Sequence, residues 1–171
     1  MNPERMRAFE KITCKKISPE NWEKFRDIRL KALQSDPQAF GNTFEGESQK
    51  DMAYWKDKLS HPERRFYSAE EGGTFIAMAG LKKIAEDNWM VTGVYTVPEW
   101  RGKNTAQKLV YQVIDEAVKA GAHKASLMVN IQQEAAVGMY KKMGFKVIRI
   151  EHDQMMGDGK VYDEYYMEKD I

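Results

Sequence analysis

The spacing of apolar residues divides the first third of the chain into one strand and two helices. Polar and apolar residues alternate over 12–17, which predicts a strand. Residues 18–36 begin with a serine-proline pair typical of a helix start and then repeat apolar residues at helical spacing. A second helix is predicted over about 48–59, because a histidine-proline pair follows and ends it.

The middle of the chain changes to the period of strands. Residues 64–70, 74–84 and 89–97 are rich in apolar, β-branched and aromatic residues, and short polar turns separate them. Connections of this length cannot cross over a sheet to a parallel neighbour. The three segments therefore predict an antiparallel meander.

The last third alternates between helices and strands. Apolar residues recur at helical spacing over 106–118, the clearest amphipathic helix of the sequence. A strand over 124–129 and a helix over 133–143 follow. Two strands, 146–151 and 161–168, flank a glycine-rich turn and complete the chain.

In order, these segments read β-α-α-β-β-β-α-β-α-β-β, which predicts the α/β class with a mixed sheet of about seven strands flanked by four helices. No linker interrupts the pattern, so we expect one domain over residues 1–171. With 42% hydrophobic and 31% charged residues, the chain has enough apolar material for a core.

Charge and cysteine content narrow the class of protein. The 27 basic and 26 acidic residues leave a net charge of +1, which argues against a general binder of nucleic acid or anionic membrane. The first twelve residues carry charges where a signal peptide is apolar, and Cys14 is the single cysteine. We therefore expect a cytoplasmic protein.

The segment from Val94 to Ala106 carries the most informative chemistry. A strand ends there, a loop with one glycine and two cations follows, and the amphipathic helix begins. Free N–H groups and the dipole at a helix N-terminus favour anions, and Arg101 and Lys103 add positive charge. An ordinary turn with solvated cations has the same composition, so these residues alone leave both interpretations open.

Two common phosphate motifs do not fit this loop. The Walker pattern requires serine or threonine after Gly102-Lys103 and glycine at position 97, where the chain has Asn104 and Val97. The dinucleotide fingerprint requires three glycines that the loop lacks. The loop favours a phosphate-bearing cofactor over nucleotide hydrolysis or hydride transfer.

A second motif lies on the helix predicted over 133–143, and the two together resemble the GNAT superfamily of N-acetyltransferases. The first family hallmark is Arg/Gln-x-x-Gly-x-Gly/Ala, which Arg101 and Ala106 match while Asn104 replaces the glycine. The second is Asn-x-x-Ala-x-x-x-Tyr-x-x-x-Gly-Phe, in which Gln133 replaces the asparagine. The residues that match it are Ala136, Tyr140, Gly144 and Phe145.

The resemblance implies the GNAT fold and acetyl-CoA as co-substrate. The pyrophosphate would lie on the amides of 102–107, and the pantetheine would run along 94–96 like an added strand. There the strand would splay from the strand over 124–129, with Gly93 at a bulge. The implied cofactor-binding residues are Val94, Tyr95, Thr96, Arg101, Gly102, Lys103, Asn104, Thr105, Ala106, Gln107, Gln133 and Tyr140.

In this family Tyr140 is the candidate catalytic residue. A phenol with a pKa near ~10 is protonated at neutral pH and can donate to the departing CoA thiolate. A core tyrosine would occupy the same helical face, which is the alternative interpretation. The backbone N–H near Tyr95 is the candidate partner of the acetyl carbonyl oxygen.

The resulting hypothesis is an acetyl-CoA-dependent N-acetyltransferase that acetylates an amine of a small molecule through a direct ternary complex. The alternatives are an acetyltransferase for protein N-termini or lysines, and a catalytically weak acyl-CoA sensor that the changes at Asn104 and Gln133 leave open. The resemblance also makes a homodimer the expected assembly. The scattered positions of His61, His123 and His152 predict no metal site.

The sequence leaves the base and the acceptor site open. A base would help because a primary amine with a pKa near ~10.4 is mostly charged at neutral pH. The candidate bases are Glu45, Glu47, Glu86 and Glu99, each of which a solvated surface acid would equally explain.

The acidic C-terminal stretch over 151–171 fits either a solvated hairpin or an acidic rim for a cationic acceptor, with Asp163 and Glu164 as its central acids. Other candidates for the acceptor side, which core packing explains equally well, are Arg29, Phe40, Phe44 and Trp55.

Overall fold

The computed structural model describes residues 12–171, so the charged N-terminal segment discussed above lies outside the described residues. In chain order the elements are β1 (Thr13–Lys16), α1 (Trp22–Ser35), α2 (Phe44–Ser48), α3 (Met52–Ser60), β2 (Arg64–Glu71), β3 (Thr74–Lys83), β4 (Asn88–Thr96), α4 (Thr105–Lys119), β5 (Lys124–Asn130), α5 (Glu134–Lys142), β6 (Lys146–Met155) and β7 (Val161–Asp170). Short 3-10 turns precede α1, α2 and α4.

The strands form one mixed sheet in the order β1-β2-β3-β4-β5-β7-β6, which confirms the predicted fold class. Strands β2, β3 and β4 are the predicted antiparallel meander. The pair β4–β5 is parallel, and every other neighbouring pair is antiparallel. Among residues 12–171, no helix is both long enough and apolar enough to cross a membrane.

The prediction of four helices was wrong, because the region after α1 contains two helices where one was expected. Thr43 caps α2 by accepting a hydrogen bond from the Gly46 N–H at 3.0 Å. Asp51 caps α3 by accepting one from the Tyr54 N–H at 2.9 Å. Two separate capping residues start two separate helices, so the described chain has five α-helices and α3 begins at Met52 instead of Ser48.

Helices cover the two faces of the sheet unequally. On one face α4 packs on β2, β3 and β4, and α5 packs on β5. The predicted apolar stripe of α4 is buried from Leu109 to Ala117, whereas Val118 is exposed. On the other face α1 packs on β3 and α3 packs on β2. The core of that face includes Phe25, Ile28, Trp55, Met78 and Tyr95.

The parallel strands β4 and β5 separate halfway along their length. Their paired residues end at Val91 and Leu127, although both strands continue beyond that point. In β4 the residues Gly93 and Val94 lie opposite the single residue Ala79 of β3, and Gly93 has a φ of +58°. This bulge bends β4, which confirms the predicted splay and the predicted role of Gly93.

A buried charge cluster joins the three N-terminal helices. Glu47 of α2 is 3% exposed, and its carboxylate accepts hydrogen bonds from Arg29 Nε at 3.0 Å and from Lys58 Nζ at 2.9 Å. Arg29 lies on α1 and Lys58 on α3. Burial by itself would raise the pKa of Glu47, but the hydrogen bonds and charges of Arg29 and Lys58 outweigh it and lower the pKa.

We predict that Glu47→Gln lowers the free energy of unfolding by about 3–5 kcal/mol, because it leaves Arg29 buried without a counter-charge. The measurement is urea unfolding at neutral pH. A folded-state pKa below the usual 4.5 means that the contribution of Glu47 is complete above that pH and is lost as the pH falls below it. The destabilisation should therefore shrink in acid.

The control is Glu45→Gln on the same helix, where the exposed side chain should change stability by less than about 0.5 kcal/mol. An equal effect of both variants would contradict the role of the cluster.

Candidate active site

A cavity of about 710 Å³ opens where β4 and β5 separate, bordered by the start of α4 and by α5. A volume of this size is usual for a small-molecule site. Lys103 is the one predicted cofactor residue that does not line it, and its Nζ lies 4.6 Å from the centroid of the Trp100 ring. The predicted residues that do line the cavity are Val94, Tyr95, Thr96, Arg101, Gly102, Asn104, Thr105, Ala106, Gln107, Gln133 and Tyr140.

The loop before α4 has the geometry of an anion site. Asn104, the N-cap residue, has a φ of +61° and its side chain makes no capping hydrogen bond. Gly102 also has a positive φ, and a side chain at this position would meet no atom within 4 Å. Asparagine tolerates this left-handed conformation better than most residues other than glycine. The replacement of the family glycine by Asn104 therefore keeps the loop conformation, and the first-turn N–H groups keep their capacity to bind an anion.

Arg101 is held by β4 and by the end of α1. Its Nε donates to the Thr96 carbonyl oxygen at 3.0 Å, and its guanidinium donates to Asp36 Oδ2 at 2.6 Å. The sequence pattern places Asp36 only at the end of the first predicted helix. No local signal could have joined it to Arg101, which lies 65 residues away.

The Thr96 hydroxyl has no hydrogen-bond partner although it is buried at the edge of this cavity. Buried polar atoms are normally paired. The oxygen is itself enclosed, so it offers no hydrogen bond to a molecule in the cavity.

Tyr140 is packed in the core and also borders the cavity. The side chain is 6% exposed and packs edge-on against Phe145, with ring centroids 5.9 Å apart. It also lines the cavity. Burial raises the pKa of Tyr140 well above its ordinary value of 10, so the phenol is protonated at neutral pH.

None of the four candidate bases lines the cavity. Glu45, Glu86 and Glu99 are exposed, and Glu47 is held in the buried charge cluster. The acidic residues that do line the cavity are Asp36 and Glu134.

The candidate acceptor-side residues fall into two groups. Phe40 lines the cavity, and the Arg29 guanidinium lies 5.0 Å from the centroid of its ring. Trp55 is fully buried against Phe25, and Phe44 packs at the edge of the same core. The structure therefore brings Phe40 to the cavity and assigns Trp55 to the core.

The turn between β6 and β7 packs against the segment that carries Phe40. The Gly157 N–H donates to the carbonyl oxygens of Pro37 and Phe40, at 3.1 and 2.7 Å. A Cβ atom at position 157 would lie 2.4 Å from the Asn42 carbonyl oxygen. The contact therefore requires glycine, and it joins the C-terminal hairpin to one wall of the cavity.

Residues 12–171 contain no group of three or more His, Cys, Asp or Glu side chains arranged to hold a metal ion.

Comparisons with known proteins agree with this geometry. Residues 22–145 match the model of the acetyltransferase (GNAT) family. The N-alpha-acetyltransferase RimI of Mycobacterium tuberculosis is 24% identical over 130 residues, which cover 74% of this chain and 79% of that protein.

Two solved structures share the fold. One is Arabidopsis thaliana NAA60 in complex with acetyl-CoA, with a TM-score of 0.73 and 16% identity over 94% of this chain and 98% of the other. The other is a spermidine N-acetyltransferase SpeG chimera from Vibrio cholerae and hSSAT, with a TM-score of 0.74 and 15% identity over 94% and 95% of the two chains.

The chain belongs to the acetyltransferase (GNAT) family, because the family model matches most of its length. It is an N-acetyltransferase that uses acetyl-CoA as its co-substrate.

The left-handed conformation of Asn104 gives a test of the loop before α4. We predict that Asn104→Ala lowers the free energy of unfolding by about 1 kcal/mol, because alanine is strained at positive φ. Asn104→Gly should be no less stable than the wild type and should bind acetyl-CoA at least as tightly. Urea unfolding and isothermal titration calorimetry measure the two effects. Equal stability of the alanine and glycine variants would show that this position is not left-handed.

The Gly157 contact generates a second test. Gly157→Ala should separate the hairpin turn from residues 37–42 and raise the KM of the acceptor more than the KM of acetyl-CoA, since the added methyl meets backbone. The matched control is Gly41→Ala on the other side of the contact, where the nearest atom to a new Cβ is 4.0 Å away. Steady-state kinetics with both substrates check this, and an unchanged acceptor KM in Gly157→Ala would disprove the role of the turn.

Proposed function

We propose that the chain transfers the acetyl group of acetyl-CoA to an amine of a small molecule in a direct ternary complex, with Tyr140 as the general acid. The observation that supports this is the shared cavity. The free part of β4, the uncapped start of α4 and the buried, protonated Tyr140 all border one space.

In this proposal the start of α4 binds the pyrophosphate and β4 orients the pantetheine. The N–H groups of residues 102–107 receive the pyrophosphate, with Arg101 and Lys103 adding positive charge. Val94, Tyr95 and Thr96 lie along the pantetheine. Gln133 and Tyr140 on the other side of the cavity reach the acetyl end.

The transfer is a single displacement at the acetyl carbonyl carbon. The neutral amine nitrogen forms a bond to that carbon, a backbone N–H near Tyr95 stabilises the developing oxyanion, and the carbon–sulfur bond breaks. Tyr140 gives its phenolic proton to the departing sulfur, and the proton lost by the amine passes to water. Because the four candidate bases lie outside the cavity, water is the proton acceptor that the proposal assigns.

We predict that Tyr140→Phe reduces turnover by about 10²–10⁴-fold, the usual contribution of general acid catalysis. The dissociation constant of acetyl-CoA should change less than about twofold, since the variant keeps the ring and its packing. The matched control is Tyr111→Phe, an exposed tyrosine of α4. CoA thiol release measures turnover and calorimetry measures binding. Equal turnover of wild type and Tyr140→Phe would remove Tyr140 from the mechanism.

The direction of the Tyr140 pKa shift adds a pH criterion. A general acid must carry its proton, and burial extends the protonated range of Tyr140 to higher pH. Wild-type turnover should therefore show no loss attributable to Tyr140 up to pH 10, the ordinary pKa of tyrosine. A loss below that pH that is absent in Tyr140→Phe would contradict the assignment.

The second candidate is an acetyltransferase for protein N-termini or lysines, which the similarity to RimI favours. The same assay separates the two with a panel of amines, amino acids, aminoglycosides and peptides. Release with small amines supports the proposed function, whereas release with peptides alone supports the second. Binding of acetyl-CoA without release would support an acyl-CoA sensor.

Three further proposals concern the domain, the cellular location and the assembly of the chain. We propose that residues 1–171 form one N-acetyltransferase domain in the cytoplasm, where the free Cys14 would stay reduced. The proposed assembly is a homodimer. Its support is β6, an edge strand whose apolar side chains Val147, Ile148 and Ile150 are exposed.

A further inference from the structure

Glu164 of β7 is a buried carboxylate that has no partner among residues 12–171. Its side chain belongs to a residue that is 9% exposed, and in the part of the chain that the structure describes no group donates a hydrogen bond to it or pairs with it. Buried charges in proteins are normally paired, since an unpaired one costs several kcal/mol. The fully enclosed unpaired atoms belong to Tyr67, Trp89 and Thr96, so the Glu164 oxygens keep access to the surface.

A second carboxylate lies beside it on the sheet. Glu164 pairs in register with Asn130 of β5 and with Glu151 of β6, and residues directly opposite each other point to the same face. Like charges in this position destabilise a sheet. Glu151 is itself paired, because the Arg149 Nε donates to its Oε1 at 2.5 Å, so Glu164 is the carboxylate of the two that lacks a cation among residues 12–171. Burial, and then the charge of Glu151, raise the pKa of Glu164. Asp163, the other central acid of the stretch over 151–171, differs because its Oδ2 lies 3.0 Å from His152 Nδ1.

This face of the sheet is continuous with the cavity. The Asn130 side chain donates to the Gln38 carbonyl oxygen at 3.2 Å, in the segment that leads to Phe40. Met128, two residues before Asn130 and on the same face of β5, lines the cavity together with Phe40. Glu164 therefore lies one strand beyond the cavity, on the side of residues 37–42.

We propose that Glu164 binds a positively charged ammonium group of the acceptor, which is therefore a diamine or polyamine. The inference rests on the proposed function for the identity of the reacting site. The amine that attacks acetyl-CoA must be neutral, whereas a carboxylate favours the protonated form. The group at Glu164 is thus a second amine that stays charged and orients the acceptor.

The test compares diamines from 1,3-diaminopropane to 1,6-diaminohexane with monoamines of the same chain length. Glu164→Gln should raise the KM of the preferred diamine about tenfold or more, the effect of losing one charge-assisted hydrogen bond. Its kcat and the KM of acetyl-CoA should stay within about twofold of the wild type, and monoamine kinetics should not change. The control is Glu168→Gln on the same strand, where the carboxylate already pairs with Lys124.

Calorimetric titration of the same diamines without acetyl-CoA gives a readout that does not depend on turnover. The proposal expects wild-type protein to bind the diamines, Glu164→Gln to lose this binding and Glu168→Gln to keep it. This pattern supports the site even if no amine is acetylated. The absence of acetylation would then count only against the proposed function. The proposal is overturned by wild-type protein that binds no diamine, by equal binding in Glu164→Gln, or by a kcat loss equal for monoamines and diamines.

Discussion

The separation of β4 from β5 is the constraint on which the rest of the site depends. Parallel pairing stops at Val91 and Leu127, while β4 continues to Thr96. Backbone polar groups in a sheet normally find partners, and beyond Val91 the β5 side of β4 borders the cavity instead of a paired strand. The bulge at Gly93 makes the separation possible because it bends β4 while β3 stays paired on its other side. The uncapped start of α4 and Tyr140 of α5 then border the same opening.

The two buried glutamates show how differently the fold treats charge. Glu47 lies between Arg29 and Lys58, and this pairing holds three helices beside the sheet. Glu164 lies in the sheet itself opposite Glu151, which is paired with Arg149, and Glu164 has no cation of its own among residues 12–171. The first arrangement lowers the pKa of its carboxyl and the second raises it. A charge that the fold leaves uncompensated is stabilised when a cationic ligand binds, which is why Glu164 is the more informative residue for the acceptor.

The acceptor side depends on a contact between distant parts of the chain. The Gly157 N–H binds the carbonyl oxygens of Pro37 and Phe40, so the C-terminal hairpin and the segment after α1 form one wall. Arg101 makes a similar long-range connection when it pairs with Asp36. Residues 36–42 therefore contact the loop before α4 through Asp36 and the C-terminal hairpin through Pro37 and Phe40.

The sequence by itself determined the order of the strands along the chain and the amphipathic face of α4, and its motifs proposed the candidate site residues from Val94 to Tyr140. These follow from local spacing and from two motifs, since period, caps and turns act between residues close in the chain. The prediction of four helices was wrong because Thr43 and Asp51 each cap a separate helix in a region where the spacing pattern predicted one. Only the tertiary structure decided that Asp36 meets Arg101, that Glu47 is paired and that Glu164 is not, because burial and pairing depend on strands and helices that are far apart in sequence.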